Sequence, residues 1–208
     1  MDSIRIRELL KPFVTSLELN DSQYAQFSTH LDLLLKWNAR MNLTSVRDPE
    51  QLMVRHFGES LFAAAQVQAN CPHATSLVDL GSGAGFPGIP IKIALPKVKL
   101  TLVESQQKKA TFLREVVRAL KMPGAQVLNS RAETLELTAD VVSLRAVENF
   151  TRILPIAEKL MADGGRLVLL IGVGQCGEVT FLLPHFTWDE PRPIPLSERR
   201  VVLTGTQA

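Results

Sequence analysis

The stretch Val78-Asp79-Leu80-Gly81-Ser82-Gly83-Ala84-Gly85-Phe86-Pro87-Gly88 decides how this chain is read. Leu77 to Leu80 is a short apolar run of the kind that forms a buried strand, and it leads straight into glycines. Glycine there lets the backbone turn with positive φ and come close to a ligand that a side chain would push away. Pro87 suits the first turn of a helix, where its fixed φ fits and its missing N–H is not needed. Strand, glycine turn and helix start together form a place for a nucleotide-like ligand. The string Gly83-x-Gly85-x-x-Gly88 also fits the dinucleotide fingerprint, so the glycines alone do not choose the ligand.

Downstream of this point strands and helices alternate. Ile89 to Leu95 reads as a short helix closed by Pro96, Lys99 to Glu104 as a second strand, and Ser105 to Leu120 as an amphipathic helix. Ala125 to Asn129 and Val141 to Leu144 are the third and fourth strands. Arg152 to Met161 is expected to be a helix that stops at Asp163-Gly164-Gly165, before a fifth strand from Arg166 to Ile171. Phe181 to Trp188 and Arg200 to Thr204 are candidate closing strands, with no clear helix between them, which suits an antiparallel edge. The order is that of an α/β doubly wound, mainly parallel sheet of seven strands.

Upstream the pattern is helical. Ile6, Leu9, Leu10, Phe13, Val14 and Leu17 follow helical spacing. Asn20 with Gln23 forms a capping box for a second helix carrying Tyr24, Phe27, Leu31, Leu34 and Leu35. Asp48-Pro49 caps a third, with Leu52, Met53, Phe57, Leu61 and Phe62. Residues 1–72 therefore read as a small helical region preceding a domain over 73–208.

Composition agrees with a globular protein: 46% hydrophobic and 21% charged residues, with a net charge of +2 that tolerates an RNA partner without announcing one. Cys71 and Cys176 stand far apart with no CxxC spacing, so neither a disulfide framework nor a metal site is expected, and a reducing cytoplasmic setting fits. No run is long enough for a signal peptide or a membrane span.

Ligands of such sheets sit beyond the carboxyl ends of the strands, and each strand offers a polar candidate there. The first gives Gly81, Gly83 and Phe86. The second gives Glu104, 19 residues beyond Gly85, where a carboxylate can accept both hydroxyls of a ribose or simply be solvated. The third runs into Ser130-Arg131-Ala132-Glu133, suited to an adenine edge, although Glu133 also suits a helix cap. The fourth ends in Ser143-Leu144-Arg145-Ala146, whose arginine is either a ligand contact or a salt bridge holding the loop.

Asp79-Leu80-Gly81-Ser82-Gly83-Ala84-Gly85-Phe86-Pro87-Gly88-Ile89-Pro90 resembles the nucleotide motif of the ribosomal RNA small subunit methyltransferase G family, also called glucose-inhibited division protein B. Further similarities are Trp37-Asn38 with Asn42-Leu43-Thr44, Arg55-His56, Glu59-Ser60-Leu61, and Lys108-Lys109 before Phe112-Leu113. Arg131-Ala132-Glu133, Arg145-Ala146 and Glu198-Arg199 extend them nearly to the end of the chain. The resemblance implies a class I methyltransferase, Rossmann-like in fold. It would bind S-adenosylmethionine, release S-adenosylhomocysteine and methylate N7 of a guanine in small-subunit (16S) ribosomal RNA, alone or within a ribosomal subunit, as a monomer. Gly81 and Phe86 would then line the methionine and ribose end, Ala132 and Glu133 would meet the adenine, and Arg145 would close the site. Two departures stand out. Glu59 replaces a more usual aspartate, and Ile171 before Gly172 replaces a lysine, which removes one RNA contact.

The chemistry is consistent with that acceptor. Guanine N7 has a free lone pair at neutral pH and needs no base, and no residue is assigned as one. The Asn/Asp-Pro-Pro-aromatic motif of exocyclic amine methylation is replaced here by Ser143-Leu144-Arg145-Ala146. Neither cysteine lies near the fourth strand to serve as the nucleophile of pyrimidine C5 methylation. Lys108, Lys109, Arg145, Arg199 and Arg200 are candidate phosphate contacts. Arg114, Arg118 and Lys121 fit a solvated helix face, and Trp37 fits the core better than a base-positioning role with Asn38, Arg40 and Asn42. Two other readings remain at this stage: a nicotinamide-dependent oxidoreductase and a non-catalytic RNA-binding module.

Overall fold

The computed structural model describes residues 1–14, 16–145 and 149–207. The helical region comprises α1 (Ser3–Leu10), α2 (Asp21–Asn38), α3 (Pro49–Leu52) and α4 (Glu59–Asn70). Asp2 caps α1 through its side chain, and Pro12 then forces a short 3-10 turn, Lys11–Phe13, instead of the continuous helix that the spacing suggests. At α2 both halves of the Asn20/Gln23 capping box are present, and the Asp48 side chain accepts the N–H of Gln51 at the start of α3. Between α3 and α4 the helix widens into a π-helical stretch, Met53–Gly58, that hydrophobic spacing does not reveal.

The second part runs β1 (Ser76–Leu80), α5 (Gly88–Ala94), β2 (Lys99–Val103), α6 (Gln107–Ala119), β3 (Ala125–Leu128), β4 (Ala139–Arg145), α7 (Phe150–Lys159), β5 (Met161–Gly172), α8 (Cys176–Leu182), β6 (Phe186–Trp188), β7 (Arg192–Pro193) and β8 (Arg200–Gln207). The sheet order is β3-β2-β1-β4-β5-β8-β6, with β7 paired to β8. β1 to β5 are mutually parallel, and β8 is antiparallel to β5, β6 and β7. The strand order reverses between β1 and β4, which places the ligand crevice at their carboxyl ends.

Four local expectations are corrected. The sheet has eight strands rather than seven, because the Pro-rich loop contributes the two-residue β7. Phe181 and Leu182 close α8, where burial of Val179 outweighs their strand propensity. Asp163-Gly164-Gly165 does not end α7, which stops at Lys159; it lies inside β5, beside the irregularity in its pairing with β4. Pro87 stands just before α5, as its N-cap, rather than within the first turn.

Alternation along β1 sends side chains to two cores. Leu77 joins a cluster with Leu100, Leu102 and Val168 of the sheet, Phe112 of α6, and Ile6, Phe27, Leu31, Phe57 and Leu61 of the helical region. Val78 and Leu80 join a second with Val142, Leu144, Leu169, Leu154 of α7 and Val179 of α8. The N-terminal helices thus share one continuous core with the sheet. Among the described residues no helix is long and apolar enough to cross a membrane.

Gly58 tests this packing. Helix-interior Gly→Ala usually stabilises by ~1 kcal/mol, but here the new Cβ would stand 2.6 Å from Cε2 of Phe13, itself 1% exposed. Overpacking costs ~1–3 kcal/mol, so Gly58→Ala is expected to lower the urea-unfolding free energy by about 1 kcal/mol, with part regained in the double variant with Phe13→Leu. A stabilised single variant would show that Phe13 yields freely.

Candidate active site

At the end of β1 the chain turns through Gly81 and Gly83, with φ of +67° and +55°. Backbone bonds fix the turn: the Ser82 N–H donates to the Val103 carbonyl of β2 at 3.1 Å, and the N–H groups of Gly85 and Phe86 return to the Ser82 carbonyl. Glu104, just past β2, is buried and braces the turn directly. Its Oε2 accepts the Gly83 N–H at 3.0 Å and its Oε1 the Gln106 N–H at 2.8 Å. A Cβ placed on Gly81 would have no atom within 4 Å. Bare backbone therefore faces open space, with a carboxylate beside it that retains unused lone pairs.

Beneath the turn lies Asp79, fully buried, whose Oδ1 accepts from the Ser143 hydroxyl of β4 at 2.8 Å. Its Oδ2 has no hydrogen-bond partner among the described residues. Burial pushes this carboxyl up to about 6, against the opposing hydrogen bond from Ser143. Gly88 has to be small, since a Cβ would meet Asp79 Oδ2 at 2.9 Å.

The helical region supplies the wall. His30 of α2 is fully buried, donates from Nε2 to the Ala84 carbonyl at 3.0 Å and stacks on Phe86 at 5.1 Å. Burial lowers its pKa to about 4, so at neutral pH it is uncharged and carries its proton on Nε2. Phe57 meets the same Phe86 ring edge-on at 4.9 Å, and His56 lies against it at 5.1 Å. Burial, and after it the Arg145 cation, lower the His56 pKa to about 3. Its Nδ1 accepts from Arg145 Nη2 at 2.8 Å, so Nε2 donates to the Thr44 hydroxyl at 2.7 Å. Asn38 holds Thr44 in turn, through its Oδ1 and the Thr44 N–H.

Arg145 leaves the end of β4 and enters this wall. Nη2 lies 2.7 Å from the Arg55 carbonyl and 2.9 Å from Glu59 Oε2, and the cation sits 5.8 Å from the Phe86 ring centre. Arg200 of β8 approaches the same carboxylate, with Nε at 3.1 Å from Oε2. Burial lowers the Arg145 pKa to about 10, still charged at neutral pH.

Of the residues singled out in the sequence, Gly81, Gly83 and Glu104 converge on one turn. Phe86 lies under it, only 7% exposed, its ring committed to the histidine and Phe57 stack. Arg145 is engaged as an ion pair within the protein. Ala132 is half-buried on the 3-10 turn after β3, and Glu133 pairs with Arg152 of α7 at 3.0 Å. Its own backbone N–H and then Arg152 hold its carboxyl below the usual range. Ala146 lies outside the described residues. Trp37 belongs to the core, with its N–H on Glu115 of α6 and its ring against Phe112. Arg114, Arg118 and Lys121 are exposed. Sequence reasoning quoted Asp79, Ser143 and His56 within motifs but gave them no role, and it did not single out His30. The signal for the first two was a polar residue inside an otherwise apolar strand.

His30 makes stability acid-sensitive with a defined sign. Its folded pKa lies below the unfolded value of 6.5, so its contribution is full above pH 6.5 and is lost as pH falls towards 4. His30→Gln, which can still donate to Ala84, is expected to remove about 3 kcal/mol of the fall in unfolding free energy over that window. Urea titrations at several pH values check it. An unchanged slope would place the acid sensitivity elsewhere.

The family model described as rRNA small subunit methyltransferase G matches residues 23–183. A protein of that name from Xylella fastidiosa is 38% identical over 191 residues, 91% of this chain and 86% of that one. Another, from Xanthomonas euvesicatoria, is 37% identical over 180 residues, 84% and 82% of the two chains. Among solved structures, magnesium protoporphyrin IX methyltransferase from Synechocystis superposes with a TM-score of 0.66 at 15% identity, over 93% of this chain and all of that one. A ribosomal protein L11 methylase from Lactobacillus delbrueckii gives 0.62 at 12% identity, over 74% and 79%. These likenesses establish a class I methyltransferase fold, and the chain belongs to the rRNA small subunit methyltransferase G family.

Proposed function

We propose that this protein transfers a methyl group from S-adenosylmethionine to N7 of a guanine in small-subunit ribosomal RNA. The single observation that carries the reading is the Gly81–Gly83 turn. Positive-φ backbone stands open at the strand-order reversal, with the buried Glu104 carboxylate alongside. These residues fit the cofactor: the glycines admit its methionine and ribose end, Glu104 has lone pairs left for the ribose hydroxyls, and Ala132 and Glu133 border the adenine position. When bound, the cofactor supplies an electrophilic methyl group on a sulfonium sulfur.

The chain's own task is then to hold and orient. Gly83 is held by Glu104 and Ala84 by His30, so the turn is rigid from both sides. Arg145, pinned by Glu59, keeps its charge behind Phe86 rather than in the open space above the turn. Guanine N7 offers a lone pair that is already free, so no residue of the chain would have to remove a proton. Positioning supplies up to ~7–11 kcal/mol in well-oriented reactions, which suits this task. Neither buried histidine is free for proton transfer, since each holds a fixed tautomer inside the wall. Residues 1–72 form that wall and 73–208 the cofactor-binding unit. The reading places the protein in the cytoplasm as a monomer acting on RNA, where the free Cys71 and Cys176 thiols stay reduced.

Glu104→Ala is expected to weaken S-adenosylmethionine binding by about 1.5–3 kcal/mol in calorimetry, the range for hydrogen bonds to a charged group. Unchanged affinity would put the ribose elsewhere. With RNA pre-bound, the single-turnover rate is expected to stay level from about pH 6.5 to 8.5, since no base titrates. Replacing the target guanine by 7-deazaguanine should abolish transfer with binding kept. A rate rising with pH, or methylation of the deaza RNA, would move the acceptor off N7.

A further inference from the structure

The loop between β7 and β8 contains a residue whose placement the fold does not require. Ser197 N–H donates to the Ile194 carbonyl at 3.2 Å, closing a turn with Pro195 second and Leu196 third. Leu196 has φ of +59°, a conformation that this position of a turn normally gives to glycine or asparagine. Its side chain is nevertheless 73% exposed. The other exposed large apolar residues, Ile4 on α1, Val173 on the 3-10 turn after β5 and Phe181 on α8, sit in helical backbone without positive φ, where a lone apolar side chain at the surface is unexceptional. Lys121, the other described non-glycine with positive φ, is polar.

The loop is anchored on both sides of its turn and well placed. Ile194 is buried beneath it, and the Arg199 carbonyl accepts the Val173 N–H at 2.8 Å. Because Arg200 pairs with Gly172 at the carboxyl end of β5, the loop stands beyond the same sheet edge as the glycine turn and Arg145. Leu196 borders a cleft of about 440 Å³ whose lining includes Arg55, Glu59, Arg199 and Arg200. Arg55 and Arg199 are exposed, while Arg200 is tied to Glu59. An apolar tip between cations, at the edge where methyl transfer takes place, has the chemistry of a nucleic-acid wedge.

We infer that Leu196 inserts into the RNA base stack in the position vacated by the target guanine. This rests on the methyl-transfer reading above. In paired RNA, N7 lies in a deep, narrow groove that side chains do not enter, so the base has to leave the stack to reach the cofactor. The void left behind is apolar and flat. A leucine held on an anchored turn fills it with little further loss of freedom, while Arg55 and Arg199 meet the flanking phosphates.

The test uses Leu196→Asn, which suits the turn, and Leu196→Met, which keeps an apolar tip. Both are assayed with small ribosomal subunits from cells lacking this protein and with methyl-labelled S-adenosylmethionine. A second set of subunits carries 2-aminopurine beside the nucleotide that the wild-type protein methylates. Leu196→Asn is expected to match or exceed the wild-type melting temperature and to keep S-adenosylmethionine affinity. Its single-turnover rate on pre-bound subunits should fall about 30-fold, from the unstacking energy no longer offset, and the 2-aminopurine brightening seen with wild type should be lost. Leu196→Met should retain both the rate and the brightening. A wild-type rate in Leu196→Asn overturns the wedge, as does a loss shared by Leu196→Met or accompanied by lost cofactor affinity. Absence of any transfer by the wild-type protein would instead remove the methyl-transfer reading on which the wedge rests.

Discussion

One carboxylate joins the helical region to two strands of the sheet at once. Glu59, 4% exposed at the start of α4, meets Arg145 from β4 and Arg200 from β8. Burying Glu59 and Arg145 is unfavourable unless they compensate one another, and removing one partner of such a buried pair typically costs about 3–5 kcal/mol. The Arg55 carbonyl and the His56 ring take up further Arg145 bonding capacity. The wall is thereby fixed to the carboxyl edge of the sheet at the place where the strand order reverses. Phe86 depends on this arrangement: its ring packs among His30, His56 and Phe57, all from the helical region. The glycine turn above it therefore owes its rigidity to residues far away in sequence.

The buried titratable groups pull in opposite senses. Asp79 has its carboxyl raised, so its unfavourable ionisation grows as pH rises through about 6. His30 and His56 have theirs lowered, so they oppose acid instead. The opposing effects fall in the same acidic window, and above about pH 6.5 the contributions of all three groups are level.

What the sequence disclosed was whatever is encoded locally. The Asn20 capping box, the Asp48 cap and the glycine turn each use residues within a few positions of one another, and all are present. The alternation of strands and helices was equally plain, and with it the parallel sheet and antiparallel edge. The π-helical stretch at Met53–Gly58 was not, because one extra residue per turn leaves no distinctive composition. Nor was α8, whose seven residues bury little beyond Val179. The wall of the site was hidden for another reason. His30 reaches a carbonyl 54 residues away and Arg145 a ring 89 residues away, and neither partner is visible without the fold.

The shared core between the N-terminal helices and the sheet has a consequence for biosynthesis. Phe27, Leu31, Phe57 and Leu61 find their partners in Leu77, Leu100 and, much later, Val168 and Val202. As the chain leaves the ribosome, its first seventy residues emerge as helices that can pack on one another, as Phe27 does on Phe57, but whose remaining apolar faces wait for β1 and β2. β5 and β8 come last and complete the same core. Part of the helical segment's apolar surface therefore stays uncovered until β5 and β8 have emerged.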